Sequence, residues 1–316
     1  MRKKIINILL ICFCLFLLLS CQKKEVIKIG TNAWPPCELW YLAEEKGFFD
    51  DVDVEIVRYS AWSDNVNSAY VGDVDISHST YFNTVKKNKL NKNIQAILIS
   101  DYIVGADGLC VRNDINNAKD LIGKKIAVEI NTDEHFLLYT YLRNNDIDIN
   151  DISIISTTSK DASELFKKNE VDACFTYEPY LSEAIKDNNG KMLATTENMK
   201  GLMVDVLIAD KRKYDQRKED YQKVLNAYYK AQEFVLENPK EAFKIMSKNE
   251  NMDEEDFGAF YSEFNFISKE KNKSIMNSKD LEQIIKRISN FLFESKFIPE
   301  KVGKGDLIDI SLIEDL

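Results

Sequence analysis

The sequence predicts an α/β protein built as two units in tandem. Three observations lead there. Short β-branched runs alternate with stretches of helical periodicity, the pattern of parallel sheets with right-handed crossovers. The alternation restarts midway, where Val171-Asp172-Ala173 repeats the setting of Val74-Asp75-Ile76 after a helix and a turn. No Gly/Ser-rich stretch separates the units, so short hinge segments rather than a free tether join them.

The first twenty residues stand outside that pattern. Arg2, Lys3 and Lys4 precede an apolar run from Ile5 to Leu19, and Ser20 and Cys21 end it. This is an export signal, short for a spanning helix. Leu18-Leu19-Ser20-Cys21 resembles the bacterial lipoprotein lipobox, with Ser a looser fit than Gly or Ala before the cysteine. The resemblance makes Cys21 the expected lipid attachment site and residues 21–25 a polar tether, so the chain is expected to be exported and membrane-anchored. The bland reading is a plain signal peptide with an incidental cysteine.

The elements follow in order. Ile27 to Gly30 reads as a strand. Trp34, Pro35 and Pro36 form a turn, and a helix follows with Leu39, Trp40, Leu42 and Ala43 on its apolar side and Gly47 just past its end. Val54 to Val57 is a strand, and Ser63 is the expected N-cap of a helix ending before Gly72. Val74 to Ser77 is a strand, Thr80 to Lys87 a helix and Ile94 to Ile99 a buried strand. In the second unit, Lys125 to Glu129 is a strand, Asp133 to Asn144 a helix and Ile152 to Ile155 a strand. Ser159 to Lys168 is a helix, Val171 to Phe175 a strand, and Pro179 opens a further helix. Val204 to Ile208 reads as a strand crossing back after Gly201. The remainder is mostly helical: Tyr221 to Glu237, a helix begun by Pro239 after Asn238, one capped by Asp253, and a last one capped by Ser278 with Leu281, Ile284, Ile285, Ile288 and Leu292 in helical register.

Composition narrows the function. Across 316 residues, 45% are hydrophobic and 30% charged, an ordinary globular balance. The net charge of −10 disfavours a nucleic-acid surface and polybasic membrane attachment. Beyond residue 21 the cysteines are Cys37, Cys110 and Cys174, too widely spaced for a disulfide framework or a metal knot, and best read as buried small hydrophobes. There is no HExxH, GxSxG, P-loop or triad spacing.

With these residues in view, the chain resembles the substrate-binding proteins of nitrate/sulfonate/taurine-type ABC importers, including their thiamine-precursor-binding relatives. The matching stretches are Trp34 to Phe49 with Val52 to Val57, Val71-Gly72-Asp73-Val74-Asp75, Asp101-Tyr102 with Gly105 to Leu109, and Leu121 to Val128. Glu170 to Ala173 with Tyr177-Glu178-Pro179-Tyr180, and Glu237 to Ala242, complete the set. The resemblance implies a two-lobed periplasmic-binding-protein (Venus-flytrap, type II) fold with two crossover strands, near Gly108 to Arg112 and Asp205 to Ala209. Lobe 1 would be residues 26–108 plus 207–316, and lobe 2 residues 109–206. It further implies a monomer that captures a small ligand by hinge closure and delivers it to a permease and its ATPase, without enzymatic activity, cofactor or metal.

Strand C-termini and helix N-termini should face the cleft. That places Asn32, Trp34, Ser77, His78, Thr80, Asp101 and Tyr102 on the first lobe. Glu129, Asn131, Thr132, His135, Thr176, Tyr177 and Glu178 lie on the second, and Asp205 at the return crossing. Trp34 either stacks on a ligand or pins its loop. His135 is a site residue or a polar face residue of its helix, and Glu178 a ligand contact or an acidic helix N-terminus. Asp75 and Asp172 read as turn or capping residues and Asp107 as a hinge residue. Asp101, Glu129, Glu178 and Asp205, with no Lys or Arg among the motif positions, suit a neutral or cationic nitrogenous ligand such as a pyrimidine thiamine precursor. A sulfonate, taurine or nitrate would want Arg, Lys or helix N–H groups. The same resemblance leaves room for a pyrimidine-synthase-like enzyme and for an extracytoplasmic ligand sensor. The synthases carry a cysteine-rich motif that this chain lacks.

Overall fold

A computed structural model describes residues 25–316, apart from 179, 187–189, 198, 200–202, 251, 263 and 315. The leader, the Cys21 anchor, most of the tether, Pro179 and Gly201 lie outside the described residues. The first unit runs β1 (Ile27–Thr31), α1 (Glu38–Glu45), β2 (Val54–Arg58), α2 (Trp62–Val71), β3 (Ile76–Thr80), α3 (Tyr81–Lys87) and β4 (Ile94–Ile103). The second runs β5 (Asp107–Val111), β6 (Lys125–Val128), α4 (Asp133–Asn144), β7 (Ser153–Ser156), α5 (Ser159–Lys167), β8 (Ala173–Tyr177), α6 (Tyr180–Ile185) and β9 (Lys191–Thr195). Then come β10 (Val204–Asp210), α7 (Lys211–Tyr214), α8 (Lys218–Glu237), α9 (Pro239–Glu250), α10 (Glu254–Tyr261), β11 (Phe264–Phe266), α11 (Lys269–Met276) and α12 (Lys279–Glu294).

The strands form two sheets, ordered β11-β4-β10-β3-β1-β2 and β7-β6-β8-β5-β9. In each, the βαβ crossovers give parallel pairs, β1 with β2 and β3, and β6 with β7 and β8. The sheets are mixed, not purely parallel as the alternation suggests. β10 returns antiparallel between β3 and β4, and β5 lies antiparallel between β8 and β9. The chain leaves the first sheet between Ile103 and Asp107 and returns between Thr195 and Val204. The strands read as crossings, β5 and β10, therefore each sit inside one sheet, and the links flank them.

The repeated Asp motif has a mechanical reason. Asp75 Oδ2 accepts from the Lys28 amide at 2.9 Å, and Asp172 Oδ2 accepts from the Lys125 amide at 2.8 Å. The first fastens the start of β1 to the start of β3, and the second the start of β6 to the start of β8. Gly47 and Gly72 take left-handed φ values of 66° and 89° past the ends of α1 and α2. The N-cap of α2 is Ala61, slightly earlier than the expected Ser63, while Thr80, Asp253 and Ser278 cap as their chemistry dictates.

The apolar side of α1 is fully buried and packs on α8, with Trp40 against Tyr228 at 4.6 Å between ring centroids. Burying a Trp side chain of this kind is worth several kcal/mol by area, roughly 25 cal/mol per Å². The two units also touch directly. Phe136 of α4 joins the first unit's core, 6.0 Å from Phe82 and 5.5 Å from Phe291. Asn83 Nδ2 donates to Asp133 Oδ2 at 3.3 Å, and Lys86 Nζ donates to the Asn131 carbonyl at 2.7 Å. Among the described residues, no helix is long and apolar enough to cross a membrane.

Candidate functional site

Between the two sheets lies a group of buried carboxylates. β4 is buried along nearly its whole length and carries Asp101 near its C-terminal end. Asp205 of β10 stands directly opposite Asp101 in the ladder, with Thr80 of β3 on its other side. A register shift between Asp205 and Val206 bends the strand there, a common device for re-aiming a side chain beside a site. From the second unit come Asp107 at the start of β5 and Asp133 and Glu134 in the first turn of α4. All five are at most 9% exposed.

These groups repel one another in a poorly solvated place. Burial pushes the Asp101 carboxyl up to about 7. Burial and the neighbouring Glu134 push Asp133 up to about 7. Burial, then the charges of Asp101 and Asp133, holds Asp205 well above the usual carboxylate range. Burial, then Glu134 and Asp133, does the same to Asp107. Among the described residues, neither oxygen of Asp101 has a hydrogen-bond partner, nor do Oδ2 of Asp107 and Oδ1 of Asp205. Leaving such atoms buried and unpaired is costly, which is why they are rare outside functional sites.

Trp34 completes the group from the loop after β1. Its Nε1 donates to Asp205 Oδ2 at 3.3 Å, and its ring meets Trp62, Phe260 and Phe264 edge-on at 6.4, 6.1 and 5.0 Å. It also packs on the second unit's core, so it lies between the lobes. The cation that acts on the group is Lys86, whose charge favours ionised Asp133. Its own ammonium is lowered by burial and engages the Asn131 carbonyl.

Of the candidates read from sequence, Trp34, Asp101 and Asp205 are brought together. Thr80 joins them, accepting from Asn83 at 3.2 Å beside Asp133. Several others take local structural partners. Asn32 accepts from Asn65 Nδ2 at 2.9 Å inside the first lobe. Glu129 accepts from the amide of Ser159 at 3.1 Å and so caps α5, and Thr132 donates to the Glu129 carbonyl at 2.6 Å. Glu178 accepts from the Ser182 amide at 3.1 Å and hydroxyl at 2.7 Å, the acidic helix terminus of the two readings. Alternation along β4 sends Tyr102 to the face opposite Asp101, toward Asp280. Tyr177 is half-buried, edge-on to Tyr180 at 5.6 Å.

The histidines are held apart. His78 is fully buried, accepts from Trp40 Nε1 at 3.0 Å, and is kept neutral by burial, its imidazole lowered to about 3. His135 accepts the Asn131 amide at 3.3 Å and lies edge-on to Phe291 at 5.2 Å, lowered to about 4 by burial. Among the described residues, no group of three or more His, Cys, Asp or Glu is arranged to hold a metal ion. Sequence reading did not place Asp107, Asp133 and Glu134 at a site. Acids in a first helical turn look like ordinary dipole partners, and only the fold shows that this helix points its N-terminus at the other lobe's carboxylates.

Comparison with known proteins agrees with this architecture. A putative aliphatic sulfonates-binding protein of Bacillus subtilis (strain 168) is 22% identical over 281 residues, 86% of this chain and 83% of that relative. The crystal structure of the periplasmic aliphatic sulphonate binding protein SsuA from Escherichia coli superposes with a TM-score of 0.77 at 16% identity, covering 91% of this chain and 92% of that one. A desulfurization enzyme, DSZB, shares the fold at a TM-score of 0.65 and 13% identity, covering 92% and 98%. The fold is the two-lobed periplasmic-binding-protein architecture, and the same scaffold also carries an enzyme. The profile of the NMT1/THI5-like family matches residues 35–242, well over half of the chain, and the protein belongs to that family.

Proposed function

We propose that this protein is an extracytoplasmic solute-binding lipoprotein, anchored through Cys21, that delivers a small nitrogenous ligand to the permease and ATPase of an ABC importer. A pyrimidine precursor of thiamine is the leading example. The observation that carries the reading is the set of buried, unpaired carboxylate oxygens contributed by both lobes across one cleft. A ligand N–H or ammonium supplies what those oxygens lack, and it does so only when both lobes surround it. Ligand binding and closure then become one event, which is the signal an importer needs. The lobes would divide at the links that flank β5 and β10, a few residues before the boundaries read from sequence (26–108 with 207–316, and 109–206), so that Asp107 belongs with the second lobe and Asp205 with the first.

Sulfonate binding is the second reading, favoured by the names of the similar proteins. An anion would meet Asp101, Asp107 and Asp205, acids that already repel one another. A non-catalytic role is supported by Cys37, whose thiol is buried and pushed well above its usual range by burial, a poor nucleophile.

Thermal-shift screening of the full chain in detergent tests the reading. Aminopyrimidines or amines should raise the melting temperature, because a ligand bound only by the folded state stabilises it. Stabilisation by sulfonates alone would refute the nitrogenous assignment.

A further inference from the structure

The cleft's charge can be taken beyond the class of nitrogenous solutes, resting on the solute-binding reading above. We propose that the solute is a linear oligoammonium compound that spans the cleft, one cationic centre seated at Asp101 and Asp205 and another at Asp107, Asp133 and Glu134.

Four observations carry this. First, the acids fall into two groups on different lobes. Asp101 and Asp205 are paired neighbours in the first sheet, whereas Asp107, Asp133 and Glu134 belong to the second unit. Second, among the described residues none of the five makes an ion pair. Elsewhere in the molecule a buried acid has a cation, as Glu38 has Arg58 at 2.7 Å. Third, the side-chain hydrogen bonds that reach the cluster come from neutral groups: Trp34 Nε1 to Asp205, Asn83 Nδ2 and Thr80 to Asp133, and Thr132 to Glu134. These are the donor type the oxygens accept, but they bring no charge. Fourth, the Tyr228 hydroxyl is fully buried and unpartnered beside Asp101, so the first-lobe end offers a further polar partner.

Charge counting then separates ligand classes. A sulfonate brings no positive charge to carboxyls that burial and mutual repulsion already hold toward the neutral form. A zwitterion such as an aminosulfonate leaves the balance unchanged. A monoamine neutralises one end and leaves the other lobe's acids unpaired. Only a compound with separated ammonium centres answers both groups at once and draws the lobes together.

Isothermal titration of the full chain in detergent at pH 8 tests this with five probes: spermidine, putrescine, butylamine, taurine and 4-amino-5-hydroxymethyl-2-methylpyrimidine. The expected result is one spermidine per chain, bound at least tenfold more tightly than butylamine, with Asp101→Asn and Asp133→Asn each weakening it tenfold or more. Asp205→Asn serves as a second first-lobe variant, and the melting temperature of each variant checks that it is folded. Equal affinity for butylamine and spermidine would overturn the proposal. So would several spermidine molecules per chain unaffected by the variants, the mark of adsorption to an acidic surface. Binding of taurine or the pyrimidine without spermidine would overturn it while leaving the solute-binding reading intact. Binding of none of the five would count against both.

Discussion

Asp101 has two buried carboxylate oxygens without a partner among the described residues, opposite a second carboxylate on Asp205. Ionised at pH 8, that carboxylate destabilises the empty protein, so its neutral isostere should help. Asp101→Asn is expected to raise the ligand-free melting temperature at pH 8 by about 2–4 °C, corresponding to about 1 kcal/mol for a protein of this size, and to abolish the ligand-induced shift. Differential scanning fluorimetry with and without solute reads both. The pH dependence has a definite sign. Asp101 and Asp133 titrate near 7 when folded, above their unfolded values, so their stabilising contribution is present at low pH and lost as pH rises through about 7. His78 and His135 are lowered by burial to about 3 and about 4, so below their unfolded value they oppose folding as pH falls. From pH 8 down to about 6.5 the ligand-free melting temperature should rise, with Glu38, raised to about 8 by burial, adding to the slope, so Asp101→Asn should reduce that slope in part. Arg58 is a contrasting case. It holds fully buried Glu38 at 2.7 Å and reaches Glu250 at 3.0 Å. Arg58→Ala strands Glu38 and should cost about 3 kcal/mol in denaturant unfolding.

At the scale of elements, the parts that were legible in the sequence are those whose stability is local. The helix at 133–144 follows directly from its periodicity, and Ser278 caps α12 by accepting from the Leu281 amide at 3.1 Å. Asp75 and Asp172 stood out as turn-fastening residues because the motif repeats. The strands missed were β9 and β11, which are short, mixed in polarity and held by partners far away in the chain, while β5 reads as a crossing and lies inside the second sheet. β9, for instance, exists because Gly108 and Leu109 pair with Thr195 and Ala194. The site divides in the same way. Trp34, Asp101 and Asp205 could be found because they sit at loop and strand ends, whereas Asp133 and Glu134 required knowing where α4 points. Glu129 and Glu178 accept from helix N-terminal amides, and their charges also reach Glu134 and Asp107. The seam between the lobes is an element-scale property too. Phe291 of α12 meets His135, Phe136 and Tyr139 of α4 at 5.2, 5.5 and 4.8 Å. Phe291→Ala should cost about 3–4 kcal/mol and loosen closure, seen as a larger radius of gyration in solution scattering of the ligand-free protein.

For the whole molecule, two sheets joined by two short links place one acidic group on each side of a hinge. In the proposed reading, closure around a nitrogenous cation relieves the cost of bringing these acids together. The carboxylates are thus the reason the ligand and the closed form favour each other. Family membership and the similar proteins support a solute-binding role, and the proposal of a nitrogenous solute rests on the carboxylates. The most direct measurement is native mass spectrometry of the full chain released gently from its own membranes, with the mass of any bound solute read on dissociation. The account predicts one nitrogen-rich, cationic solute per chain, lost in the Asp101→Asn variant. A bound sulfonate, or a solute retained equally when Asp101 and Asp205 are both replaced by Asn, would contradict it.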